Sequence, residues 1–165
     1  MNPAKRSFFC AGAASIALVG CGFKMRGFDL GLPFKTIAIQ GEFEVAREVR
    51  QMIESRPGVL IATKPMAAQV VLIVASQQLD RTVTAFNAAG RPREVQLRMR
   101  VTYRITDGLA IELSSTQEIV QIRDVSVTES EVLAQPAAEA FLREVMQRDI
   151  AQQLIRRLRA VKLSS

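Results

Sequence analysis

From Val95 to Thr106 the chain alternates without a break. Val95, Leu97, Met99, Val101, Tyr103 and Ile105 are apolar, while Gln96, Arg98, Arg100, Thr102, Arg104 and Thr106 are polar. A period of two is the pattern of a strand with one face against a core and the other in water. Thr106-Asp107-Gly108 then supplies a tight turn, and Leu109, Ile111 and Leu113 alternate with Ala110, Glu112 and Ser114 in a return strand running to about Ile122. Before it, Val70 to Ala75 is a continuous, partly β-branched apolar run, as expected of a strand buried on both faces. It continues in more polar form towards Phe86, and Asn87 to Arg93 is a turn-forming loop. Together these segments predict an antiparallel meander.

Two stretches carry the other period. Val45, Val49, Met52 and Ile53 recur at helical spacing among Glu44, Arg47, Glu48, Arg50 and Glu54, and Arg56-Pro57-Gly58 stops the helix. Further on, Pro136 suits a helix start. Leu142, Met146, Ile150, Leu154 and Leu158 form one stripe flanked by Phe141, Val145, Ala151 and Ile155, and Arg156, Arg157, Arg159 and Lys162 crowd the last turns, where cations suit the helix dipole. Thr36 to Gln40 is a short strand closed by Gly41, and Val59 to Ala62 offers an extra short strand. The expected fold is therefore α+β. Two helices pack on one face of a four-stranded, largely antiparallel sheet in the order β-α-β-β-β-α, with the extra strand near 59–62 left open.

The N-terminus speaks of compartment. Lys5 and Arg6 precede an apolar run from Phe8 to Val19, about the length of a signal core and short of the roughly twenty residues a membrane-spanning helix needs. Leu18-Val19-Gly20-Cys21 looks like a bacterial lipobox, so residues 1–20 are expected to be removed and Cys21 to carry acyl chains such as palmitate. One acyl chain gives an association constant of only about 10⁴ M⁻¹, so stable anchoring needs more than one. Gly22, rather than an aspartate, follows the cysteine, which by resemblance to enterobacterial sorting favours the outer membrane. Residues 21–34, rich in glycine and proline near their end, read as a tether, and 35–165 as a single domain.

Loss of Lys5 and Arg6 lowers the formal charge from +6 to +4. Nucleic acid is not the expected partner of an exported chain; a phosphate-bearing lipid or an acidic protein surface fits this mild basicity. Cys10 leaves with the signal, so no disulfide is expected in the mature domain. The chain has no histidine, which removes Ser-His and Cys-His nucleophilic systems and the commonest metal ligand. No catalytic residue, metal site or cofactor is expected. Glu112 and Glu118 share a strand face but stand roughly 20 Å apart, too far for paired acid and base work. Glu129 and Glu131 have no supporting constellation.

Arg91, Arg93, Arg98, Arg100 and Arg104 cluster on one loop and the polar face of the strand beyond it. Guanidinium forks suit phosphate. The other reading is a solvated strand face balanced by Glu112 and Glu118 on the neighbouring strand. The loop from Phe86 to Arg93 has the same two readings, a plain turn or a place where binding residues sit on a rigid scaffold.

Three stretches resemble one family, the LPS-assembly outer-membrane lipoproteins called LptE. They are Cys21-Gly22-Phe23-Lys24-Met25-Arg26-Gly27; the Gly90 loop leading into Glu94-Val95-Gln96-Leu97; and Glu144-Val145-Met146 through Asp149, Ala151 and Gln153-Leu154-Ile155-Arg156-Arg157-Leu158. Family members often have tyrosine in place of Val95, and the basic residue tied to lipopolysaccharide in some of them precedes the third long strand. Here Ala88 and Ala89 precede Gly90, and Arg91 and Arg93 follow it. The resemblance implies a non-enzymatic, lipid-anchored protein that faces the periplasm from the outer membrane. It would plug and help assemble the LptD β-barrel, and bind lipopolysaccharide on its way to the cell surface. The implied fold is two helices on a four-stranded sheet. The competing expectation is an auxiliary lipoprotein of another envelope system, such as an ABC-transporter accessory subunit or an activator of a cell-wall enzyme.

Overall fold

The computed structural model describes residues 31–126 and 135–163. The signal segment, Cys21, Glu129 and Glu131 lie outside the described residues. Five strands, β1 (Thr36–Gln40), β2 (Leu60–Ile61), β3 (Val70–Phe86), β4 (Pro92–Thr106) and β5 (Glu112–Ser126), form one sheet in the order β2-β1-β3-β4-β5. The two helices are α1 (Glu44–Glu54) and α2 (Gln135–Arg159). The α+β class expected from the sequence holds. The sheet has five strands rather than four, because the segment near 59–62 does pair, with β1. It is also mixed: β1 runs parallel to both β2 and β3, while the long hairpins β3–β4 and β4–β5 are antiparallel.

Period decides which residues go inside. On α1, Val45, Val49 and Ile53 are fully buried, one turn apart. No side chain of its own capping residue Phe43 caps the helix; instead the Val45 N–H donates to Gln77 Oε1 of β3 at 3.1 Å, meeting one of the donors a helix start leaves open. On α2, Met146, Ile150, Leu154 and Leu158 are fully buried, whereas Phe141 is 65 % exposed. The apolar faces of both helices meet Leu72, Val74, Leu97, Met99, Val101 and Tyr103 in one core on the same side of the sheet. Phe34, assigned to the tether by composition, is buried in that core.

Val70, Val71, Leu72 and Val74 of β3 are all buried, as the continuous apolar run predicts. Val71 faces away from the helices and packs with Ala38 and Ala68, beneath the short 3-10 turn Pro65–Ala67. A register shift between Val74 and Ser76 is a bulge that reverses the strand's facing, so Gln77, Leu79, Arg81 and Val83 pair with the core-facing residues of β4. Gly41, at φ +113°, makes the turn into α1; a Cβ there would stand 2.6 Å from the Val74 carbonyl oxygen. The return strand begins at Glu112 rather than Leu109. Asp107 Oδ1 accepts the Leu109 and Ile111 N–H groups at 2.9 and 2.8 Å, holding those residues in a turn with both side chains exposed.

Candidate functional site: the open face of the sheet

Because both helices sit on one side, the middle of the other side is open. Even-numbered residues of β4 project there, opposite in facing to the buried Leu97, Met99 and Val101. Arg98 and Arg100 are adjacent on this face, about 7 Å apart along the strand, and Arg104 lies about 13 Å beyond Arg100. Arg100 Nη2 donates to Asp80 Oδ2 of β3 at 2.8 Å. Its Nε is buried with no hydrogen-bond partner among the described residues. The acid paired with the row is therefore Asp80, which stands directly across from Arg98 and bonds Arg100. Glu118 and Glu112 stand across from Thr102 and Thr106. They make no ion pair with the row among the described residues.

The neighbours on the β5 side are apolar. Ile122 lies across from Arg98 and Val120 across from Arg100, and the two are 41 % and 44 % exposed. Two guanidinium groups thus stand beside two exposed aliphatic side chains. Further out, Gln96 Nε2 donates to Asp124 Oδ1 at 3.0 Å. Chemically this face offers donors for an anion flanked by a strip that accepts hydrocarbon.

Arg91 and Arg93 sit elsewhere. Arg91 closes the β3–β4 loop, where Asn87 Oδ1 accepts the Ala89 and Arg91 N–H groups at 3.0 and 2.9 Å and Gly90 takes φ +72°. Both arginine side chains are exposed at this tip. From Arg91 to Arg104 is roughly 40 Å along the strand, so the five arginines do not converge on one small ligand. The structure brings Arg98 and Arg100 together, leaves Arg104 near the opposite end, and keeps Arg91 and Arg93 at the tip.

One helix-end cation does more than its place in the last turn of α2 implies. Arg157, grouped with the helix-end cations, turns back onto the core-facing side of the sheet, where its Nη1 donates to Tyr103 Oη at 2.6 Å and to Gln117 Oε1. A lone tyrosine on the apolar face of β4, needing a partner for its hydroxyl, was the available clue. Among the described residues no group of His, Cys, Asp or Glu side chains could hold a metal, and no helix is long and apolar enough to cross a membrane.

The family model for lipopolysaccharide assembly, LptE, matches residues 34–158. The fold is similar to that of lipoprotein B from Nitrosomonas europaea, at 28 % identity and a TM-score of 0.73 over 84 % of this chain and 91 % of that one. The minor lipoprotein from Acinetobacter baumannii (19 % identity, TM-score 0.63, 81 % and 98 % covered) and the rare lipoprotein B from Shewanella oneidensis (17 %, 0.64, 76 % and 95 %) share the fold. No curated protein matches the chain.

Proposed function

The chain belongs to the LptE family of lipopolysaccharide-assembly proteins, and from that premise we propose that it is a non-enzymatic lipoprotein of the outer membrane that seats in the lumen of an LptD-type β-barrel, helps that barrel assemble, and binds lipopolysaccharide during its delivery. The family match over residues 34–158 carries this reading. In it, residues 1–20 are a signal peptide, Cys21 is acylated, residues 21–34 lead from the membrane surface, and the domain that follows faces the periplasm within the barrel.

The open face supports the lipid part of the proposal. Lipopolysaccharide presents phosphates beside acyl chains; Arg98 and Arg100 present donors beside Ile122 and Val120, and Arg104 adds a donor further along the strand. Arg91 and Arg93 would meet further anionic groups at the tip. Because these side chains are spread along β4, they suit an extended glycolipid better than a single phosphate. Arg98 and Arg104 contribute more than Arg100, whose charge is shared with Asp80.

The test is binding of purified lipopolysaccharide to the full-length chain and to the Arg98→Ala/Arg104→Ala variant. Each exposed charge contact contributes up to about 1 kcal/mol, so the double variant should bind roughly tenfold more weakly, with a shallower dependence on salt. Unchanged affinity would remove the open face from the proposal.

A further inference from the structure

A second polar constellation lies on the other side of the sheet, where the last turn of α2 meets β4 and β5. Tyr103 is fully buried, and its hydroxyl donates to Gln117 Oε1 at 2.7 Å while accepting from Arg157 Nη1 at 2.6 Å. The Arg157 guanidinium carbon stands 5.5 Å from the centre of the Tyr103 ring, within cation–π range. Gln117 Nε2 in turn donates to Ser114 Oγ at 3.3 Å. The guanidinium is thereby fixed in place by a hydroxyl, an amide oxygen and an aromatic face, all of them neutral. Both hydrogen bonds to Arg157 use Nη1; neither occupies the Nε–Nη2 edge, which is one of the edges that grips two oxygens of a phosphate or carboxylate.

This arginine opens onto a cleft of about 540 Å³, within the size range of small-molecule sites. Lys162 adds a second cation to its lining, Ile105, Leu113 and Val161 give it apolar walls, and no aspartate or glutamate is among the lining residues. A helix C-terminus accounts for cations in general, and Arg156 and Arg159 are explained that way. It does not account for an arginine folded back onto a tyrosine and a glutamine of the sheet, beside a cleft without a counter-charge.

The geometry points to a binding site for a phosphate-bearing amphiphile in this cleft. Arg157 and Lys162 take the phosphate, and Ile105, Leu113 and Val161 take the adjoining hydrocarbon. The cleft lies on the face opposite Arg98, Arg100 and Arg104, so it stands or falls independently of lipopolysaccharide binding on the open face.

The experiment follows the side-chain NMR signals of Arg157 and Gln117 in the purified full-length chain, titrated with dihexanoyl phosphatidic acid, inorganic phosphate and uncharged dihexanoylglycerol. Phosphatidic acid is expected to shift both signals and to bind on the order of tenfold more tightly than inorganic phosphate, with no response to dihexanoylglycerol. Equal affinity for the two anions would overturn the hydrocarbon part of the proposal and leave a site for free phosphate at Arg157 and Lys162. Arg157→Gln should weaken binding by about tenfold and Lys162→Ala by about threefold, as loss of a positioned fork and of a surface charge require. Lys162 is exposed, so that variant keeps the test open if Arg157→Gln does not fold. Arg98→Ala/Arg104→Ala should leave these shifts unchanged. Side chains that respond to no probe, or an affinity unaltered in Lys162→Ala and in every folded Arg157 variant, would overturn the proposal.

Discussion

Arg81 on β3 and Glu139 on α2 form a forked ion pair, with Nε 3.0 Å from Oε2 and Nη2 3.1 Å from Oε1. The pair fastens the early turns of α2 to the outer part of β3, beyond the reach of the buried stripe that begins at Met146. Arg123–Asp149 at 2.8 Å and Arg148–Glu48 at 3.5 Å repeat the device further along, to β5 and to α1. A long helix with half its length outside the core is thus oriented by charge where it cannot be oriented by burial.

Glu139 should make acid stability depend on this pair. The hydrogen bond from Arg81, opposed by partial burial and reinforced by the charges of Arg81 and Arg143 and by Gln135, holds its carboxyl below the ordinary value of 4.5. A carboxyl lowered in the folded state stabilises fully above its unfolded value, and that contribution is lost as pH falls through the lowered folded value. Glu139→Gln should therefore cost about 1 kcal/mol at neutral pH. The gap between wild type and variant should close on acidification below about pH 4, as thermal melts across that range would register.

Two apolar residues of α2 should behave oppositely. Leu154 is fully buried and Phe141 is 65 % exposed. Leu154→Ala should cost about 3 kcal/mol through the cavity it leaves, while Phe141→Ala should change stability by less than about 0.5 kcal/mol. Denaturant unfolding of the two variants measures both.

Ala110 adopts φ +66° in the β4–β5 turn, a conformation that costs an L-residue about 1 kcal/mol. Ala110→Gly should stabilise the protein by a few tenths of a kcal/mol, the gain being reduced by glycine's greater freedom when unfolded. Asp107→Ala, which removes the acceptor for two turn N–H groups, should destabilise it by about 1 kcal/mol. A shift in unfolding midpoint of the same sign for both variants would contradict this account of the turn.

Exposed Phe86, Phe141, Val120 and Ile122 leave apolar surface on the isolated chain that a partner would cover. Light scattering should detect concentration-dependent self-association, reduced in Phe141→Ser. A clean monomer at high concentration would contradict this.

The two periods, with the continuous apolar run that opens β3, were enough to place both helices and the three long strands, because burial on one face or on both leaves its own pattern. The bulge at Val74–Ser76 was not legible. It changes which face Leu79 and Val83 occupy without changing their composition, and only pairing with β4 reveals it. Leu109 and Ile111 imitate a strand by alternation, yet Asp107 holds their N–H groups in a turn, a local bond that outcompetes the pattern. The arginine row on β4 was visible for the same reason as the strand itself. Asp80, the acid that pairs with Arg100, was not, since the acids in β5 look equally near in sequence. Arg157 shows the limit most plainly: nothing in a run of helix-end cations says which one folds back onto Tyr103.

We propose above that this chain works inside the lipopolysaccharide-export barrel. Affinity capture of the full-length chain from detergent-solubilised envelopes, with mass spectrometry of whatever is retained and of the chain's own N-terminus, tests it most directly. The captured material should contain a large outer-membrane β-barrel in stoichiometric amount, and the mature chain should begin at an acylated Cys21. Recovery of an inner-membrane transporter or a cell-wall enzyme instead, with no barrel present, would contradict it.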